Sequence, residues 1–173
     1  MEPLVVYIPG LSDSNSNLIP SIASSSSSIR VFHYTVKDDA KEINDQIQHC
    51  VTAIIRKFDE LPEGILVSVI AKSFGAVLLD RYLSMRKNLN ISKIVILGLP
   101  VQFVNLDNFY VPTYIIQGSK DKYSKPADIK KILKSNNQNI LVVEKKGLNH
   151  SFTNTNGKNY FNEIFSSSYD LLK

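Results

Sequence analysis

The hydrophobic and polar positions of this chain repeat at two different spacings, and the switches between them mark out its elements. Leu4–Ile8 is an unbroken apolar run closed by Pro9-Gly10, the pattern of a buried strand leading into a tight loop. Residues 11–28 are polar, rich in Ser and Asn and ending in the run Ser24–Ser28, with Leu18, Ile19 and Ile22 as the apolar face of a short helix. Ile29–Val36, rich in β-branched and aromatic residues, predicts a second strand. The period then lengthens: Ile43, Ile47, Val51, Ile54 and Phe58 recur at steps of three and four, one face of an amphipathic helix. Asp38 or Asp39 supplies its N-cap, Arg56 and Lys57 suit the negative end of its dipole, and Pro62 and Gly64 prevent its continuation.

Ile65–Ala71 is again nearly continuous in apolar residues, as expected of a strand covered on both faces. A helix is predicted from about Gly75 to Lys87, followed by strands at Ile94–Leu99, Thr113–Gln117 and Ile140–Val143. Ser124 and Pro126 open a helix carrying Ile129 and Leu133, and a last helix buries Phe161, Ile164, Phe165 and Leu172. Strands alternating with helices predict the α/β class: a three-layer αβα sandwich on a mostly parallel sheet of about six strands. No internal repeat interrupts the series, so one domain spanning 1–173 is expected.

Composition narrows the classes of function. At 173 residues the chain can bury a substantial core, and no apolar run approaches the roughly 18–20 residues that cross a membrane. "MEPLVVYIPG" enters a strand without the basic segment and cleavage site of a secretory leader. The single cysteine, Cys50, excludes an intrachain disulfide; on the polar-apolar helix it reads as structural, and it fits a reducing compartment, so the cytoplasm is the expected location. The net charge of +4 is concentrated between Lys120 and Lys134, with Lys145 and Lys146 further on. Tyr123 is the only aromatic within that run and no nucleic-acid motif accompanies it, so the lysines read as a solvated helix face, with a basic rim favouring anionic substrates as the second reading. No nucleic-acid partner is expected.

Candidate chemistry is concentrated in "VSVIAKSFGAVLLDRYL", residues 67–83. A solvated turn between strand and helix would carry Asn, Asp or Pro. This joint has Ala71, Gly75 and Ala76 instead, as required where strand and helix pass very close together. That is the setting of a nucleophile elbow, a sharp turn that lifts a serine hydroxyl above the sheet. The usual Gly-x-Ser-x-Gly is here Ala71-Lys72-Ser73-Phe74-Gly75, the first small position carrying one extra methyl. An acid and a histidine then follow on later strand ends: Asp121 in "GSKDKYS" and His150 in "GLNHSF". Each lies just beyond the C-terminal end of a strand, where open α/β sheets place their sites, and the order Ser, Asp, His is the one this elbow requires. Taken singly, Ser73 reads as an N-cap, Asp121 as a helix cap and His150 as a loop histidine; their joint occurrence in this order favours a catalytic triad.

The motifs "VVYIPG", "IAKSFGA", "IIQGSKD" and "GLNHSF" resemble those of the α/β-hydrolase superfamily, in particular its small dienelactone-hydrolase-like and esterase-like members. The resemblance covers nearly the whole chain. It departs from the larger members in three respects: the elbow begins with Ala71, two N-terminal strands of the full fold have no counterpart, and Pro100–Pro112 is too short for a lid domain. What it implies is a minimal, lidless serine hydrolase acting on small or accessible acyl esters or thioesters. The missing strands would also leave a sheet edge that a second copy could cover, although nothing in the sequence indicates an oligomer.

His150 would accept the Ser73 proton during attack, and Asp121 would hold the imidazole in the required tautomer. The oxyanion donors expected are the backbone N–H groups of Phe74 and Leu11, with Gly10 permitting close approach in "PGLSD" and Gly75 supporting the elbow; the Ser12 hydroxyl is a further donor. Asp107 is the alternative acid. His33, in the second predicted strand, and His49, on the polar side of the first long helix, read as structural or solvated, and Lys72 reads as solvated. No histidine pair has metal-ligand spacing and no glycine-rich phosphate loop is present, so neither a metal nor a nucleotide cofactor is expected. The alternative to an enzyme is a domain of the same fold that binds a ligand or partner through the same pocket.

Overall fold

The computed structural model describes residues 4–11, 20, 23, 26–36, 43–86, 90–133 and 138–172. Six strands, β1 (Leu4–Ile8), β2 (Ile29–Val31), β3 (Val67–Lys72), β4 (Ile91–Leu97), β5 (Thr113–Gly118) and β6 (Ile140–Lys145), form one sheet. Their order is β2-β1-β3-β4-β5-β6 and every pairing is parallel. Among the described residues, the helices with both ends defined are α1 (Ile43–Asp59), α2 (Phe74–Met85), α3 (Pro126–Ile132) and α4 (Phe161–Leu172).

Alternation along the strands divides the core. Val6, Ile8, Val69, Ala71, Ile94, Ile96 and Ile115 pack on one face against Ile47, Val51, Ile54 and Phe58 of α1, Val77, Leu78 and Tyr82 of α2, and Ile129 of α3. Tyr7, Ile70, Val95, Leu97 and Ile116 pack on the other against Ile164, Phe165, Tyr169 and Leu172 of α4. This is the three-layer arrangement expected of strands apolar on both faces. From β1 the chain moves outward to β2, then crosses back to β3 on the other side. That reversal is a topological switch point, the position at the C-terminal edge where open α/β sheets place their sites. Among the described residues no helix is long and apolar enough to cross a membrane.

Several boundaries differ from those expected. The second strand stops at Val31 rather than Val36. Phe32 N–H still donates to Tyr7 O at 2.8 Å, but from there Phe32 and Tyr34 are buried while His33 and Thr35 are exposed. The alternation thus reflects packing of Phe32 on Phe58 of α1 and of Tyr34 on Phe74 of α2, without a ladder. β3 starts at Val67 and extends through Lys72, and β4 runs from Ile91 to Leu97, ended by Gly98 at φ +69°. α2 begins at Phe74 and ends at Met85. In place of Ser124, Lys125 caps α3, its N–H held by the Asp128 carboxylate at 3.2 Å. Leu18, Ile19 and Ile22, the Asp38 and Asp39 caps, Ser12, Lys87 and Lys134 lie outside the described residues.

The β4–β5 connection contains no α-helix; it makes two short 3-10 turns, Val101–Phe103 and Leu106–Asn108. A buried carboxylate on α2 holds it: Asp80 accepts from Asn105 N–H at 3.2 Å and Asn108 Nδ2 at 2.7 Å. Burial pushes the Asp80 carboxyl above the usual aspartate range, partly offset by the Asn108 and Asn105 hydrogen bonds and by Arg81.

Candidate active site

Ser73 occupies the corner between β3 and α2 at φ +49°, ψ −114°, a conformation that costs a non-glycine residue about 1–3 kcal/mol and persists only where the surroundings enforce it. Its N–H donates to Leu97 O at 3.0 Å and its carbonyl accepts from Ala76 N–H at 2.9 Å, fixing both sides of the corner. Behind it, a Cβ at Gly75 would lie 2.3 Å from Ile8 O and 2.7 Å from Pro9 O, so only glycine lets α2 pass this close to β1. Ala71 is fully buried between its register partners Ile8 and Ile96, and the sheet accommodates its methyl.

His150 is carried by the loop after β6. Asn149 Oδ1 accepts from Ser151 N–H and Thr153 N–H, both at 2.9 Å, closing the turn around it. The loop packs on β5 so closely that a Cβ at Gly118 would meet Leu148 O at 2.3 Å. His150 Nε2 lies 2.7 Å from Ser73 Oγ, and His150 Nδ1 lies 2.7 Å from Asp121 Oδ2. With the carboxylate as acceptor, Nδ1 carries the proton and Nε2 accepts from the serine hydroxyl; the tautomer follows from this network.

Asp121 is 1% exposed and saturated with donors. Oδ2 accepts from His150 and from Gln117 Nε2 at 2.8 Å; Oδ1 accepts from Tyr123 N–H at 2.8 Å and Ser124 N–H at 3.4 Å. Asp107, the alternative acid, is exposed on the second 3-10 turn and makes no hydrogen bond to His150. His33 and His49 are exposed, the former outside any strand.

Lys72 differs from its expected solvated state. It is only 6% exposed, and its ammonium donates to His150 O at 3.1 Å and lies 5.8 Å from the centre of the Phe152 ring. The strand continues one residue further than its apolar pattern indicates, so Lys72 points under the histidine loop. Gln117 is the other residue that sequence reasoning passed over. Fully buried, it donates to Asp121 Oδ2 and to Ser124 O at 2.7 Å and accepts from Leu99 N–H at 2.8 Å, tying the ends of β4 and β5 to the acid loop. A glutamine at the last core position of an apolar strand was the available signal. Cys50 is buried on the inner face of α1, and burial pushes its thiol up, which suits a structural residue.

The expected oxyanion donors lie on adjoining segments. Phe74 is the first residue of α2, ahead of the first intrahelical hydrogen bond. Leu11 follows β1 just beyond the Ile8 and Pro9 carbonyls that abut Gly75. Tyr34 ties the segments together, its hydroxyl donating to Pro9 O at 2.8 Å and its ring lying 5.9 Å from that of Phe74.

No family model matches the sequence, and no curated protein does. Solved structures do match. An α/β serine hydrolase without a lid from Xanthomonas campestris is 17% identical over 88% of this chain and 75% of its own, with a TM-score of 0.61. Est1E from Butyrivibrio proteoclasticus is 12% identical over 99% of this chain and 87% of its own, at 0.69. Acyl-protein thioesterase 2 from Zea mays is 14% identical over 99% of this chain and 94% of its own, at 0.56. An α/β sheet with a switch point beside a serine elbow is thus the architecture in hand. More specifically, it is the compact α/β-hydrolase fold, with two 3-10 turns and no α-helix between β4 and β5.

Proposed function

We propose that this protein is a serine hydrolase that cleaves small or accessible acyl esters or thioesters. The observation that carries the reading is the continuous relay Ser73 Oγ–His150 Nε2 and His150 Nδ1–Asp121 Oδ2, both 2.7 Å, starting from a serine held at positive φ. Ser73 Oγ attacks the acyl carbonyl while His150 takes its proton. The N–H groups of Phe74 and Leu11 stabilise the oxyanion, and His150 then gives the proton to the departing alcohol or thiol. Water, deprotonated by His150, attacks the acyl-serine, and the proton returns to Ser73 Oγ as the carboxylic acid leaves. Similarity in fold to a serine hydrolase and an acyl-protein thioesterase agrees with this chemistry. The whole described chain serves one sheet, consistent with one domain, and the lone buried Cys50 suits the cytoplasm.

The test is turnover of short acyl esters and thioesters by the pure protein. Ser73→Ala should abolish it with folding intact, and His150→Ala should lower kcat/KM by orders of magnitude, because the serine then has no base to take its proton. Turnover retained by Ser73→Ala would overturn the assignment. A well-folded wild type inert toward every acyl substrate would favour a ligand-binding domain.

A further inference from the structure

The described parts of the loops that border Ser73 expose charge of one sign. In the described segments 9–11, 73–74, 98–104, 119–125 and 146–154, every exposed charged side chain is a lysine: Lys120, Lys122, Lys125 and Lys146. The single carboxylate there, Asp121, is buried and occupied by its four donors. One of these lysines is linked to the reaction centre by geometry. The Tyr123 ring stands edge-on to the His150 imidazole, centroids 4.6 Å apart and planes at 68°, and Lys122 Nζ lies 5.1 Å from the centre of that ring. Tyr123 is itself 48% exposed, so Lys122 and Tyr123 form an open ledge beside the histidine.

The side on which this ledge lies matters. In acyl transfer the histidine delivers its proton to the leaving atom, so the departing group must come within hydrogen-bond reach of Nε2. What lines the histidine therefore borders the leaving group. Resting on the hydrolase reading above, we propose that Lys122, held on Tyr123, selects esters or thioesters whose leaving group bears a negative charge, a carboxylate or phosphate a few bonds from the scissile atom. The surrounding lysines raise the local concentration of such substrates, and the Tyr123 ring supplies the apolar contact between the charge and the bond that breaks.

The experiment compares nitrophenyl acetate with the same ester carrying a carboxylate on the nitrophenyl ring. The ratio of their kcat/KM values is measured for wild type, Lys122→Met, Lys122→Glu and Lys130→Met, so intrinsic ester reactivity cancels between proteins. Lys130 is exposed on α3 and serves as the control for net charge. Relative to wild type, Lys122→Met should lower the charged-to-neutral ratio about three- to tenfold, the size expected of one solvent-screened charge contact, and Lys122→Glu should lower it further. Lys130→Met should keep the wild-type ratio. Equal ratios in wild type and both Lys122 variants would overturn the proposal, as would an equal fall in Lys130→Met, which would assign the effect to overall charge. Turnover of both esters no faster than with Ser73→Ala would overturn the hydrolase reading and this one with it; clear turnover without a Lys122-dependent ratio overturns this one alone.

Discussion

Replacing Gly75 with alanine tests the elbow through its packing. The new Cβ would lie 2.3 Å from Ile8 O, 2.7 Å from Pro9 O and 2.9 Å from Ile8 C. All three obstructing atoms are main chain, and Ile8 is pinned in the sheet opposite Ala71, so no side-chain rotation relieves the overlap. Reaching ordinary van der Waals separation requires β1 and α2 to part by about 1 Å. Overpacking typically costs about 1–3 kcal/mol, and a clash with backbone alone belongs at the upper end. For a chain of this size that is a fall in Tm of roughly 6–12 °C. The same displacement separates the two segments carrying the proposed oxyanion donors, Phe74 and Leu11. Misplacement by about 1 Å can cost around a hundredfold in rate. Thermal unfolding followed by circular dichroism and kcat/KM on a short acyl ester measure both effects. A Gly75→Ala protein with wild-type Tm and kcat/KM within twofold of wild type would refute the close-approach argument.

The opposite change at the other small position should be mild. Ala71→Gly loses one buried methyl and gains strand entropy to fix, so stability should fall by about 1 kcal/mol with kcat/KM within about twofold; a large gain in rate would show that Ala71 impairs the elbow. Gln117→Leu removes three buried hydrogen bonds, one to a carboxylate, and should lower stability by about 3–5 kcal/mol by urea titration and turnover at least tenfold. Unchanged stability would show that Gln117 does not hold the acid loop. Asp80→Asn gives a pH-dependent result. Because the folded-state carboxyl titrates above its ordinary value of 3.8, its favourable contribution is complete below that value and is lost as pH rises through the folded one. The Tm of Asp80→Asn relative to wild type should therefore climb with pH above about 4; a difference that stays flat from pH 3 to 8 would contradict the raised titration.

The parallel sheet and the candidate triad were legible because each rests on a local pattern that the fold does not override. Apolar runs such as Leu4–Ile8 and the nearly continuous Val67–Ala71 become strands covered on both faces, and the loops that end β3, β5 and β6 bring Ser73, Asp121 and His150 together. What was not legible depends on where a side chain points after the chain has packed. Lys72 has the composition of a solvated position, yet one extra residue of strand turns it beneath His150 O. Gln117 and Asp80 are polar residues within apolar runs whose partners, Leu99, Ser124, Asn105 and Asn108, are remote in sequence or lie on an irregular connection. Phe32 and Tyr34 alternate like strand residues because they pack on Phe58 of α1 and Phe74 of α2, at a sheet edge where the ladder has ended.

The central claim is that Ser73 is an activated nucleophile, and intact-mass detection of a fluorophosphonate adduct addresses it most directly. The account predicts one adduct on the wild-type protein, none on a folded Ser73→Ala protein, and much slower labelling of Gly75→Ala. A wild-type protein that remains unlabelled while folded, or a Ser73→Ala protein that labels as the wild type does, would contradict it.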